Sequence, residues 1–117
     1  MMTINNYSKQ KSLIVDADFF NQNKIKLIES MTNGTAYLFF YFKLLCESIE
    51  HDGYLRFNDE IFYDVKMLAT ITNTDFSTAA VAMDIFKKFG LIEVQENGEF
   101  YIPYAKNRVM IEEVDMD

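Results

Sequence analysis

Apolar residues return at mixed three- and four-residue intervals through most of this chain, the spacing of helix faces, and the pattern changes to short alternating runs near the start, at Tyr54 to Phe57 and after residue 90. From Phe19 to Met31 the apolar positions are Phe20, Ile25, Leu27, Ile28 and Met31, with Asn21, Lys24, Lys26 and Glu29 between them. This spacing predicts an amphipathic helix, and Asn33 with Gly34 is the residue pair best able to end it in the left-handed conformation. Thr35 then offers a cap for a second helix running to about Ile49, with Tyr37, Leu38, Phe40, Tyr41, Leu44, Leu45 and Ser48 on its inner side. Phe39 and Phe42 make it apolar on most sides, which predicts a central helix. Ahead of these, Leu13, Val15 and Ala17 alternate with Ile14, Asp16 and Asp18, the signature of an extended lead-in or edge strand.

His51, Asp52 and Gly53 close the central helix, and Tyr54 to Phe57 reads as a brief strand. Asp64 opens a short third helix with Val65, Met67, Leu68 and Ile71 inward, and Asn73, Thr74 and Asp75 make a turn. A fourth helix follows from Phe76 to Phe89, its apolar positions being Phe76, Ala79, Ala80, Met83, Phe86 and Phe89, with Gly90 as the stop. Leu91 to Val94 and Phe100 to Ile102 are strand-like and meet through Asn97 and Gly98, a strong hairpin-turn signal because both residues tolerate positive φ. The succession predicts a mainly α chain with a small β component: a winged helix-turn-helix with an additional N-terminal helix and a β-hairpin wing. Its expected limits are a flexible arm over residues 1–12, one domain over 13–111, and an acidic tail over 112–117.

Composition supports one packed unit. Half of the 117 residues are hydrophobic and 15% are aromatic, with one proline and four glycines. The lone Cys46 lies in an apolar helical run and is expected to be a buried structural thiol, which suits a reducing cytoplasm. The longest apolar stretch, Ala36 to Cys46, contains Lys43 and falls well short of the roughly 20 residues that a membrane span needs. No membrane association, secretion signal or small-molecule partner is expected.

Catalytic chemistry finds no foothold. The single histidine, His51, sits at a helix end, and there is no cysteine pair, Gly-rich phosphate loop or nucleophile with a matching base. A non-enzymatic protein without metal or cofactor is therefore expected.

A helix-turn-helix usually presents its second helix to duplex DNA, with contacts drawn from the N-terminal half of that helix. The residues placed for this role are Thr74, Ser77 and Thr78 toward base edges, with Lys87, Lys88, Lys106 and Arg108 near phosphates. Charge opposes it: 18 acidic residues against 11 basic leave the chain at net −7, and Glu93, Glu96 and Glu99 give the hairpin an acidic tip that would repel a phosphate backbone. The fourth helix also lacks the arginine that reads guanine bidentately. Lys9, Lys11, Lys24 and Lys26 form a loose cationic group that is offset by Asp16, Asp18 and Glu29. Apolar residues on outer faces, Val81, Ile85, Phe39 and Phe42, are the candidates for a protein interface.

Beyond these physical readings, the run Asp18, Phe19, Phe20, then Lys24 to Ile28, Tyr41, Lys43 to Leu45, Gly53 to Leu55, Gly90 to Glu93 and Tyr101 to Pro103 resembles the N-terminal domain of phage replisome organiser proteins, relatives of DnaD-like primosomal modules. The resemblance spans roughly Val15 to Met110. It implies a winged-helix domain serving origin-DNA binding, self-association into a dimer or higher oligomer, or both. It also implies a further C-terminal region, absent from these residues, that engages replication proteins such as a helicase or helicase loader. The chain would then be either an excised domain or a short stand-alone relative. The family's recognition-helix positions would fall on Ser77, Thr78 and Val81, none of them basic. Three functions follow as expectations: an origin-binding replication module, an interaction module without direct DNA contact, and a transcriptional regulator on the same scaffold.

Overall fold

In a computed structural model, residues 7–115 are described, with side chains described from residue 11 to residue 112. The outer ends of the expected arm and tail, residues 1–6 and 116–117, lie outside them. The first predicted helix divides at Gln22, whose backbone is extended. Before it, Phe19–Asn21 forms a single 3-10 turn that buries Phe19; after it comes α1, Asn23–Glu29, with Ile25 and Ile28 inward.

Helix α2, Gly34–Ser48, begins at Gly34 with Asn33 as its cap residue, not behind Thr35. Gly34 therefore starts a helix, and its role is close approach. A Cβ there would lie 2.1 Å from the Ile28 carbonyl oxygen and 2.7 Å from that of Glu29, so only glycine lets α2 start on the end of α1. All seven positions predicted for the inner side of α2 are buried, and Tyr41, Leu44 and Leu45 are completely enclosed. Around them Tyr41 meets Phe86 edge-on at 5.3 Å between ring centroids, and Phe19 meets Tyr104 at the same separation. Cys46 corrects an expectation. It falls on the open side of α2 and is exposed, because Leu45 and Ser48 take the inward positions around it.

The second half of the molecule follows the predicted order. Helix α3, Val65–Ile71, is capped by Asp64, whose carboxylate accepts from the Met67 N–H at 2.8 Å. Leu68 and Ala69 carry its burial, while Ile71, predicted inward, is 41% exposed at the last turn. Asn73 takes a left-handed conformation in the connecting turn, and α4, Phe76–Lys88, buries Ala79, Ala82, Met83 and Phe86. Gly90, with φ of 73°, turns the chain into the antiparallel hairpin of β2, Glu93–Val94, and β3, Phe100–Tyr101. At the hairpin turn only Gly98 of the Asn97–Gly98 pair adopts positive φ, and Asn97 instead accepts the Glu99 N–H on its side-chain oxygen. The Leu55 N–H donates to the Phe100 carbonyl and Tyr54 bridges Tyr101, so the Tyr54–Arg56 segment flanks the hairpin. The chain is mainly α with a small β component, and helix, turn, helix and hairpin follow one another as the pattern predicts.

The arm and tail meet in a second ribbon. Strand β1, Tyr7–Leu13, pairs antiparallel with β4, Val109–Asp115, in the register Leu13 to Val109. Residues 7–12 thus belong to a strand, and the extended segment stops at Leu13 rather than continuing through Ala17. Alternation within one segment carries no information about a partner at the far end of the chain, which is why this ribbon is invisible in the pattern. Arg108 fastens its base: Nη2 lies 2.6 Å from the Asp16 carboxylate, Nη1 donates to the Tyr104 carbonyl at 3.2 Å, and the guanidinium sits 4.1 Å over the Tyr104 ring.

Candidate nucleic-acid interface

Helix α4 has an exposed stripe, Ser77, Val81, Asp84 and Lys88, at intervals of four, three and four residues. This is the face that a helix-turn-helix would present. At its N-terminal end the hydroxyl of Ser77 donates to the Asp75 carboxylate, which also accepts the Thr78 N–H at 3.3 Å. These bonds hold the Asp75 carboxyl below its ordinary range, the Ser77 hydroxyl first among them. Thr74 and Thr78 are half-buried, and the Thr74 hydroxyl shares a 2.8 Å hydrogen bond with that of Thr72. The hydroxyls placed for base contact are thus largely engaged in capping and turn structure.

The basic candidates separate. Lys87 lies 3.6 Å from Asp84, whereas Lys88 has no carboxylate within salt-bridge distance among the described residues. Eleven residues of helix separate Ser77 from Lys88, about 16 Å along the axis. Lys106 is exposed just beyond the 3-10 turn Pro103–Ala105. Arg108 is a structural clamp at the ribbon, and its ion pair keeps its charge from being freely offered to a phosphate.

The acidic wing also needs correction. Glu99 is 2% exposed and forms a bidentate pair with Arg56, Nε to Oε2 at 2.5 Å and Nη2 to Oε1 at 2.7 Å. Its charge is neutralised inside the structure, and only Glu93 and Glu96 of the three remain exposed on the hairpin. The partners are 43 positions apart, so charge counting by segment could not join them.

The interface candidates divide in the same way. Val81 is 47% exposed and Phe39 is 63% exposed. Ile85 packs against the core, because α4 turns it toward the body of the protein, and Phe42 is half-buried against Phe19. Phe39, Phe42, Cys46 and Ile71 border an open groove of about 390 Å³ between α2 and the end of α3. Lys43 crosses it, 4.5 Å from the Phe39 ring, and donates to the Thr72 carbonyl at 2.7 Å. Two exposed residues are not among the candidates drawn from the sequence. Phe76, assigned inward, is 55% exposed, and Lys66 stands beside it in a second groove along α3.

Among the described residues no group of three or more His, Cys, Asp or Glu side chains is placed to hold a metal ion, and no helix is long and apolar enough to cross a membrane. The family model described as the N-terminal phage replisome organiser matches residues 13–117. The chain belongs to this family. No match is found among curated proteins or among solved structures. Membership in the replisome organiser family links the chain to phage replication. The residues that carry the resemblance are chiefly those that build the body: Phe19, Ile25, Ile28, Tyr41, Leu44, Leu45, Leu55, Leu91, Ile92 and Ile102 are buried, and Gly53 and Gly90 take positive φ at turns. Asp18, Phe20, Lys26, Leu27 and Glu93, which also carry the resemblance to the replisome organisers, are exposed.

Proposed function

We propose that α3, α4 and the β2–β3 hairpin act as a winged helix in a replication-initiation module that binds origin DNA. The observation that carries the reading is the unobstructed stripe of α4, Ser77, Val81, Asp84 and Lys88, on a helix otherwise anchored through Ala79, Ala82, Met83 and Phe86. Neutralisation of Glu99 by Arg56 supports it by removing one of the charges that would hold the hairpin away from a phosphate backbone. Val81 offers an apolar group of the kind that meets a thymine methyl, and Lys88 a phosphate contact. Net charge of −7 makes the contact weak, and its salt dependence reflects the number of phosphates that lysines such as Lys88 neutralise. Fluorescence anisotropy with a labelled duplex from the phage origin, begun at low ionic strength, tests this. Binding that weakens with added salt is expected, and no binding at the lowest salt overturns it.

A second reading is favoured by one specific feature, the exposed Phe39 beside the Phe42, Cys46 and Ile71 groove: self-association through α2. Sedimentation across a concentration series distinguishes it. A dimer that F39E disperses supports this reading; a monomer at every concentration removes it. The two activities are compatible, because α2 and the open face of α4 are different surfaces.

A further inference from the structure

The groove beside the helix-turn-helix bend is lined by Lys66, Ala69, Thr70, Asn73, Thr74 and Phe76 and has a volume of about 660 Å³. Lys66 and Thr70 stand one turn apart on α3, and Asn73 reaches it from the left-handed position of the turn. Phe76, the first residue of α4, supplies an aromatic ring that is more than half exposed. The hydroxyls are occupied, Thr70 donating to the Lys66 carbonyl and Thr74 bonded to Thr72. Among the described residues Lys66 has no carboxylate within salt-bridge distance, and the side-chain hydrogen bonds around the groove do not include the Asn73 amide. The nearby Asp75 carboxylate is turned onto Ser77 and Thr78. What the groove offers is therefore an uncovered ring, a free ammonium and a free amide.

Those three groups match three parts of an unpaired nucleotide: the flat face of a base, the phosphate, and the polar base edge. A duplex keeps its base faces stacked on one another and cannot cover the ring. We propose that this groove binds single-stranded DNA, with one base stacked on Phe76, its phosphate on Lys66 and its edge against Asn73. The proposal rests on the DNA-binding reading and extends it to the strand exposed when an origin opens.

The chain contains no tryptophan, so F76W places a single fluorescent reporter in the groove. Its emission is expected to be quenched by single-stranded oligothymidylate and left unchanged by a blunt duplex. F57W, at an exposed site outside the groove, is the control and should respond to neither. By anisotropy, F76A is expected to weaken oligothymidylate binding about tenfold, the scale of one lost base stack, while origin-duplex affinity stays at the wild-type value. K66Q should weaken the single-strand contact and flatten its salt dependence. Duplex binding with no quenching of F76W and no effect of F76A overturns this proposal and leaves the duplex reading standing. Absence of both single-strand and duplex binding overturns the two together. A blue shift of F76W with protein concentration alone also overturns it, since a second copy would then cover the ring.

Discussion

The β2–β3 hairpin and the β1–β4 ribbon are both two-stranded, and each is fastened by an arginine–carboxylate pair, Arg56–Glu99 joining the hairpin to the Tyr54–Arg56 segment and Asp16–Arg108 closing the base of the ribbon, yet the two ties differ in kind. Arg56 meets Glu99 where the carboxylate is 2% exposed, whereas Arg108 meets Asp16 with side-chain exposures of 32% and 36%. A buried pair costs much when one member is lost, since the other charge is left without water. A half-exposed pair falls back on solvent and contributes little by itself. The hairpin is therefore fastened through a buried carboxylate, while the ribbon depends on backbone pairing, the Asp16–Arg108 pair and a contact of Lys11 with Glu50 at 3.3 Å.

The strongest way to break this contrast is R56A. It is expected to destabilise the protein by about 3 to 5 kcal/mol, measured by urea unfolding, because Glu99 is left buried and unpaired. The double variant R56M/E99M should recover most of that loss; equal losses in both would mean that the pair is not what holds the hairpin. Next in size is R108A, which should lower thermal stability clearly less than R56A and act locally. Amide hydrogen exchange is expected to accelerate along residues 7–13 and 109–115 while the hairpin amides keep their protection. Added salt should erode the Asp16–Arg108 contribution and spare that of Arg56–Glu99.

A pH titration sharpens the difference further. The hydrogen bond from Arg108, with its charge and the Tyr104 hydroxyl, holds the Asp16 carboxyl below its ordinary value of 3.8. With the folded value depressed, the stabilisation is complete above the unfolded value and is lost as pH falls through the folded one. D16N should therefore be less stable than the wild type at neutral pH and converge with it in acid, as measured by thermal melts across that range. The smallest expected effect is that of Y41F. The Tyr41 hydroxyl is buried without a hydrogen-bond partner among the described residues, the opposite of the fully paired Glu99. Its removal should leave stability unchanged or slightly raised, and a marked loss would mean that the hydroxyl is satisfied in solution.

How far each region could be read from the sequence follows the same division. The α3, α4 and hairpin succession was legible because its signals are local: Asp64 and Asp75 cap the helices they precede, and Gly90 and Gly98 sit at positive φ. The ribbon was not, because Leu13 and Val109 meet across nearly the whole chain. Gly34 misled for a related reason: its need is the closeness of the Ile28 carbonyl, a three-dimensional fact that looks in sequence like a helix stop. At the candidate interface the choice of helix was readable but the availability of its side chains was not. Arg108 and Glu99 are spent on partners 92 and 43 positions away. Phe76 fits an apolar period yet faces out, because the period cannot say where at a helix end the core stops.

The face that α4 presents is tested most directly by the salt slope of origin-duplex binding in the wild type and in K88Q, measured on the same oligonucleotide. If Lys88 touches a phosphate from the exposed stripe, K88Q should weaken binding across sequences and reduce the slope of log K against log salt by about 1. Identical slopes for the two proteins, or no duplex binding by either at low salt, would contradict the assignment of α4 as the DNA-presenting helix.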